Sequence, residues 1–441
     1  MQSRGMNRRG FLKTAVSAAV GAVGFPYFVS GAALGKDGSV PASERITIGV
    51  IGTGGQGRGD MMGFLSKKEA RVVAVCDVDD KRLYSWGKNI VDQRYNNKDC
   101  AAYKDWRQVI ARDDIDAVLT ATPDHWHAII AIAAARAGKH IHGQKPLAYN
   151  IAEGRAIVEA VKRYGIVWQT GSQQRSDRNF RFACELVRNG CLGKVNLVKV
   201  GLPNNNMIFG DGWNTPAHEE PAKPAPVPEG FDYDMWLGPA PWKPYSAGRC
   251  HWNFRWISDY AHGQISDWAG HHCDIAQWAM NTEHTSPVEV EGKGQWPENP
   301  IYDTVENYRF VCKYKEGFTM IVDGSLARGV RFEGSDGWVF VSREAMEAHP
   351  KSLLDTKFGP NDVHLYESDD HKQNFLDCIR SGRECVAPVE VGHRSIMIGH
   401  LGVIAMKVGR KVKWDGERER FVDDKVADSY LSRAMRSPWR V

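Results

Sequence analysis

The chain has 441 residues, 42% of them hydrophobic and 25% charged, enough to bury large cores and long enough for two domains. A formal charge of only +4 gives no reason to expect nucleic acid as a partner. Nine scattered cysteines, an odd count with no C-x-x-C pair, exclude a disulfide framework and a zinc ribbon.

The elements follow in chain order. Asn7–Lys13 reads NRRGFLK, with Arg8 and Arg9 ahead of a small, apolar stretch that runs to about Leu34. It resembles a twin-arginine export signal. Residues 1–35 are therefore expected to be a leader and 36–45 a polar linker, with the protein exported to a periplasm. Glycines and Pro26 interrupt the stretch, so no stable membrane span is expected once the leader is cut. Export of an already folded chain fits cysteines that form no disulfide framework.

From Ile46 the pattern alternates. Apolar runs at Thr47–Gly52, Ala70–Asp77, Ile115–Pro123 and Gly138–Pro146 read as strands buried on both faces, and Ile166–Ser172 as a further one. Helical segments at His127–Gly138 and Ile151–Gly165 each end in a glycine. This predicts an α/β fold, with a doubly wound parallel sheet over 46–171. Beyond Ser172 the rhythm changes. A helix near Phe180–Arg188 and a strand at Lys194–Gly201 precede a stretch rich in Pro, Gly and Trp, about Pro203–Trp256, expected to be a binding loop or an insertion. A helix over Gln264–Met280 is followed by strands at Val288–Gly292, Thr304–Tyr314, Thr319–Ser325 and Val330–Val341, and by helices at His371–Ser381 and His393–Val408. Residues 172–441 thus read as a second α/β domain with an open, mostly antiparallel sheet.

Gly52, Gly54 and Gly57 form G-x-G-x-x-G directly after the first strand, and Asp77 ends the second strand 20 residues past Gly57. That spacing marks a dinucleotide fingerprint: glycines let backbone N–H groups approach a pyrophosphate, and an acid holds ribose hydroxyls. Thr53, Gly55 and Gln56 complete the turn. Asp77, Asp79 and Asp80 have no adjacent arginine, which favours NAD over NADP. Lys145, ahead of Pro146 at the end of a later strand, is expected to project toward the nicotinamide side. Asp267, His271 and Asp274 share one helical face at i, i+4 and i+7. A histidine oriented by a carboxylate suits removal of a hydroxyl proton during hydride transfer, with Lys145 stabilising alkoxide character.

GVIGTGGQG, AVCDVD, TATPDHWH, AGKHIHGQKPLA, GQISDWAGHHCDIAQW and the tail RSPW together resemble the glucose–fructose oxidoreductase/inositol dehydrogenase (Gfo/Idh/MocA) family. The resemblance implies a catalytic Lys145 with Asp267 and His271, and a loop of Thr122, Pro123, Asp124 and His127 beside the cofactor. The family usually carries glutamate before that lysine; here Gln144 stands in its place. Oligomerisation, as a dimer or tetramer, is implied by the resemblance alone. Fifteen tryptophans lean toward a carbohydrate ligand. Gln173 and Arg175 at the domain junction, Arg255, Trp256 and Tyr308, and the pair His271 and His272 are candidate sugar contacts. The histidines of HWH and of that pair have neither an H-E-x-x-H motif nor cysteine support, so no metal is expected. The reaction expected is NAD-dependent oxidation of a sugar, polyol or glycoside at a secondary alcohol. A glycosidase or epimerase passing through a transient keto-sugar, and a non-enzymatic sugar-binding or scaffold protein, are the alternatives. The lysine argues against the glycosidase branch, and Lys145, Asp267 and His271 together argue against the scaffold.

Overall fold

A computed structural model describes residues 40–203 and 223–441. The expected leader and part of the expected binding loop lie outside the described residues. Ahead of the first sheet, Ala42–Glu44 form one 3-10 turn. Residues Ile46–Val441 form one compact unit built on two sheets.

The first sheet is parallel, six-stranded, in the order β3-β2-β1-β4-β5-β6: β1 Ile46–Ile51, β2 Ala70–Cys76, β3 Ala101–Tyr103, β4 Ala117–Thr120, β5 His140–Gly143 and β6 Trp168–Thr170. Its order reverses between β1 and β4, which places a ligand crevice at the carboxyl ends of the strands there. Four residues of β4 and five of six in β1 are buried, because helices cover both faces. Helix α1 (Gly55–Leu65), α2 (His127–Arg136) and α3 (Ile151–Tyr164) supply that cover. Asn150 caps α3 through its side chain, and Gly165 ends it in the left-handed region.

Helix α4 (Arg178–Arg188) leads into the second sheet, nine strands in the order β13-β12-β11-β7-β10-β9-β8-β14-β15. Its members are β7 Val195–Gly201, β8 Glu289–Gln295, β9 Asn307–Lys313, β10 Thr319–Asp323, β11 Gly329–Gly334, β12 Trp338–Val341, β13 Met346–His349, β14 Val412–Asp415 and β15 Arg420–Phe421. Only β7 with β10 pairs in parallel, so the sheet is mixed and mostly antiparallel, with a clear in/out alternation in β9, β10 and β12. Helices α5 (Gly263–Met280), α6 (His371–Ser381) and α7 (Val389–Val408) complete the fold, with α5 and α7 packed together over the core. The α/β architecture expected from the sequence is the one found. The strands β3, β13, β14 and β15 have no counterpart among the expected elements, and two expected elements differ. Val330–Val341, read as one strand, is a hairpin that turns at 335–337, and the last long helix begins four residues earlier, at Val389. In both cases an apolar pattern runs through a boundary set by pairing and packing.

Candidate active site

The glycine turn leaves β1 in a conformation that only glycine holds comfortably. Gly52 has φ +89°, and a Cβ there would stand 2.6 Å from the Ala121 carbonyl oxygen. A Cβ on Gly57 would collide with the Gly52 carbonyl. No side chain caps α1, so its first N–H groups remain available to an anion. Asp77 follows the end of β2 and accepts from the Thr53 N–H at 2.9 Å, the Thr53 hydroxyl at 3.2 Å and the Asp79 N–H at 3.1 Å. Burial raises its carboxyl pKa despite the nearby Arg82 charge. Arg82 corrects one expectation: an arginine does stand beside these acids. The π-helical segment Lys81–Lys88 brings it back to within 3.5 Å of Asp79.

These parts open onto a cavity of about 440 Å³, the size of a small-ligand site. Gly52, Gly54, Gly55, Gln56, Asp77, Thr122, Pro123, Asp124, Gln144 and Lys145 line it, with an apolar wall from Trp106, Trp126, Phe231 and Trp236. Thr53, Gly57 and His127 stand behind the wall. The ring nitrogens of His127 lie 2.7 and 2.8 Å from the carbonyls of Pro146 and Thr122, which ties the β4 loop to the Lys145 segment.

At the β5 end the charges converge. Lys145 Nζ donates to Asp267 Oδ1 at 2.8 Å and to the Asp267 carbonyl at 3.0 Å, and Arg255 Nε reaches the same carboxylate at 3.3 Å. Although burial opposes ionisation, these two cations hold Asp267 down at about 2. Asp124, 5% exposed, is pushed up to about 7, by burial first, with Arg255 and Lys145 opposing and Asp267 adding to the rise. The cavity therefore contains a carboxyl group that titrates near neutrality next to the lysine.

Gln144 donates from Nε2 to Asp60 Oδ2 at 2.6 Å. Asp60, buried on α1, also receives Gln56 Nε2 at 3.0 Å and Lys372 Nζ at 3.0 Å. A carboxylate only accepts, so the Gln144 amide is fixed with its oxygen turned away. That buried oxygen has no partner, and neither does the Thr122 hydroxyl. Both residues line the cavity, and both atoms suit the polar end of a nicotinamide. The glycine cradle, the bare helix end and these two orphaned atoms fit a dinucleotide.

The other candidates are distributed differently. His271 is 3% exposed and lies one turn past Asp267. Its Nδ1 has no partner, so Asp267, engaged by Lys145 and Arg255, does not orient it. Burial holds it well below the ordinary imidazole range, and Lys145 and Arg343 add to this. His272 Nδ1 lies 2.8 Å from the Gly201 carbonyl. Arg175 is buried in ion pairs with Asp274 (2.6 Å) and Glu283 (2.7 Å), away from the cavity wall. Trp256 and Tyr308 are buried as well; the Tyr308 hydroxyl donates to the Pro203 carbonyl at 2.6 Å. Gln173 is exposed outside the wall. Of the proposed sugar contacts, Arg255 alone lines the cavity. Asp60 and the aromatic wall are not legible in the sequence, because Gln144, Lys372 and the segments of the wall lie far apart along the chain; Arg82 is only three residues past Asp79, and the helical turn brings it back to that acid. Among the described residues no group of three or more His, Cys, Asp or Glu is placed to hold a metal, and no helix is long and apolar enough to cross a membrane.

Residues 46–172 match the description "Oxidoreductase family, NAD-binding Rossmann fold" and residues 182–441 match "Oxidoreductase family, C-terminal alpha/beta domain". The chain is 32% identical over 153 residues to myo-inositol 2-dehydrogenase of Thermotoga maritima, a match spanning 35% of this chain and 44% of that enzyme's length. It is 27% identical over 286 residues to the uncharacterized oxidoreductase YrbE of Bacillus subtilis, covering 64% of this chain and 68% of that one. In fold it is similar to aldose-aldose oxidoreductase of Caulobacter crescentus, with a TM-score of 0.61 and 20% identity, covering 84% of this chain and 99% of that one. With both halves matched and an NAD-binding Rossmann domain in place, the chain belongs to the Gfo/Idh/MocA oxidoreductase family.

Proposed function

We propose that the protein oxidises a secondary alcohol of a sugar, polyol or glycoside with NAD. The observation that carries this reading is Lys145. It stands at the end of β5 on the wall of the dinucleotide cavity, 2.8 Å from Asp267 and beside Asp124. NAD supplies the hydride acceptor when bound. Asp267 anchors the Lys145 ammonium, and Lys145 hydrogen-bonds the substrate oxygen and favours its alkoxide form. Burial and the Lys145 charge keep His271 neutral and disfavour its imidazolium, and the ring stands off the cavity wall, so proton uptake falls to a group on that wall. Asp124 is the nearby carboxyl able to store a proton near neutral pH. The inositol dehydrogenase relative supports a polyol substrate.

The twin-arginine segment supports export. Outside the cytoplasm no soluble nucleotide pool exists, so the reading includes a tightly retained nucleotide and a redox-neutral cycle, with a sugar oxidised and a carbonyl reduced in turn. The test is Lys145→Ala on protein loaded with NAD. Single-turnover reduction with myo-inositol, glucose or a methyl glycoside is expected to fall by about 10²–10⁴-fold, while NADH affinity changes less than about threefold. Wild-type turnover by that variant removes Lys145 from the chemistry, and unfolded wild-type protein that releases no dinucleotide removes tight retention.

A further inference from the structure

Helix α5 is buried from Ala269 to Ala279, but Gln264, Asp267 and Trp268 form an incompletely buried stripe near its start. Asp267 holds Lys145. Trp268, the next residue, stands edge-on to His271 at 5.6 Å and to His272 at 5.1 Å. Two turns of the second sheet bring arginines onto the same indole: Arg328, after β10, lies 5.2 Å from the ring centre, and Arg343, after β12, lies 4.7 Å from it. Both are cation–π contacts on a single ring.

The charges here do not balance. Arg328 pairs with the exposed Glu344 at 2.7 Å. Among the described residues Arg343 has no carboxylate partner. Partial desolvation, and then the Arg328 charge, lower its pKa. Two guanidiniums against one carboxylate leave one net positive charge. His271 Nδ1, buried and unpartnered, lies one turn along the helix. Two like charges drawn onto one ring, outside the cavity lining but with Arg343 within electrostatic reach of the Asp267 that holds Lys145, form a receptor for an anion carried by that substrate. A single net charge, with Asp267 close by, matches a monoanion better than a dianion. A planar carboxylate fits the guanidinium fork.

We infer that the sugar carries a carboxylate, as a hexuronate does, and that Arg343 and Arg328 hold it against Trp268. This rests on the sugar reading above and adds the substrate class. The test is calorimetric titration of NADH-loaded protein with matched pairs, glucuronate against glucose and galacturonate against galactose, with glucose 6-phosphate as a third arm. At least one hexuronate is expected to bind tenfold or more tightly than its neutral partner, as charge-assisted hydrogen bonds imply. Arg343→Ala and Arg328→Ala should each erase most of that preference without changing NADH affinity, and Arg343→Lys should keep part of it. Equal binding within each pair, binding of no sugar by the NADH-loaded protein, tighter binding of glucose 6-phosphate than of glucuronate, or a preference that survives Arg343→Ala overturns the inference. A protein that takes up no NADH instead overturns the oxidoreductase reading beneath it.

Discussion

Gln144 stands where the family motif usually has glutamate, and its surroundings explain how an amide serves there. A free glutamine can turn either end toward a ligand. Asp60 removes that choice by accepting Nε2 at 2.6 Å, with Lys372 neutralising its other oxygen at 3.0 Å. The amide oxygen is left without a partner, and with NAD bound it would serve as an acceptor for the carboxamide N–H. In Asp60→Asn the lysine would take the new side-chain oxygen, and the new NH₂ would face Gln144 and turn its amide over. The expected result is a selective loss. Wild type should bind NAD more tightly than 3-acetylpyridine adenine dinucleotide, which lacks the amide N–H, by about fivefold, the worth of one net hydrogen bond. Asp60→Asn should bring the two affinities within about twofold, chiefly by weakening NAD. Equal losses for both nucleotides would instead mean that Asp60 merely supports the helix. The departure at position 144 is visible in the sequence. Its partner at position 60 is not, because the two meet only when α1 and β5 pack side by side.

Helix α5 shows what spacing does and does not reveal. The i, i+4, i+7 pattern of Asp267, His271 and Asp274 correctly places three polar side chains along one helix. It cannot tell what each one faces. Asp267 meets the cavity, His271 is enclosed, and Asp274 is 1% exposed between Arg175 and the Ser395 hydroxyl. The same limit applies to Val330–Val341, where an apolar run hides a hairpin, and to the three-residue β3, too short for periodicity to register. Arg175, a sugar candidate from sequence, is thereby bound into the joint between α5 and the segment Gln173–Ser176. Arg175→Met should leave Asp274 as a buried carboxylate without a cation and cost about 3–5 kcal/mol in denaturant unfolding. NADH and sugar affinities are expected to stay within about twofold. A variant as stable as wild type with weakened sugar binding would return Arg175 to the cleft.

The whole molecule closes on its cavity through the end of the chain. Arg433 pairs with the buried Glu153 of α3 at 2.7 Å and lies over the Tyr149 ring at 3.8 Å. Arg436 donates to the Gly238 carbonyl at 2.9 Å, next to the short helix that carries Trp236. Trp439 then stands edge-on to Trp126 at 4.7 Å and 6.4 Å from Trp106. Trp106, Trp126 and Trp236 come from three separate segments and form the apolar wall. The tail joins all three without lining the cavity itself. The sequence marks RSPW as a familiar ending but holds no local sign of this role, since a clamp between distant segments has no period. Trp439→Ala removes two aromatic contacts worth about 0.5–1.5 kcal/mol each. If the tail keeps the wall in shape, part of that loss passes to the ligand, and NADH should bind several-fold more weakly, approaching tenfold if a full 1.4 kcal/mol is transmitted. The melting temperature should fall at the same time, and excess NADH should restore most of it, because binding draws the loosened wall back together. A fall in melting temperature with unchanged NADH affinity would limit the tail to holding the fold, and the cavity would then owe its shape to the first sheet and the 223–256 segment alone.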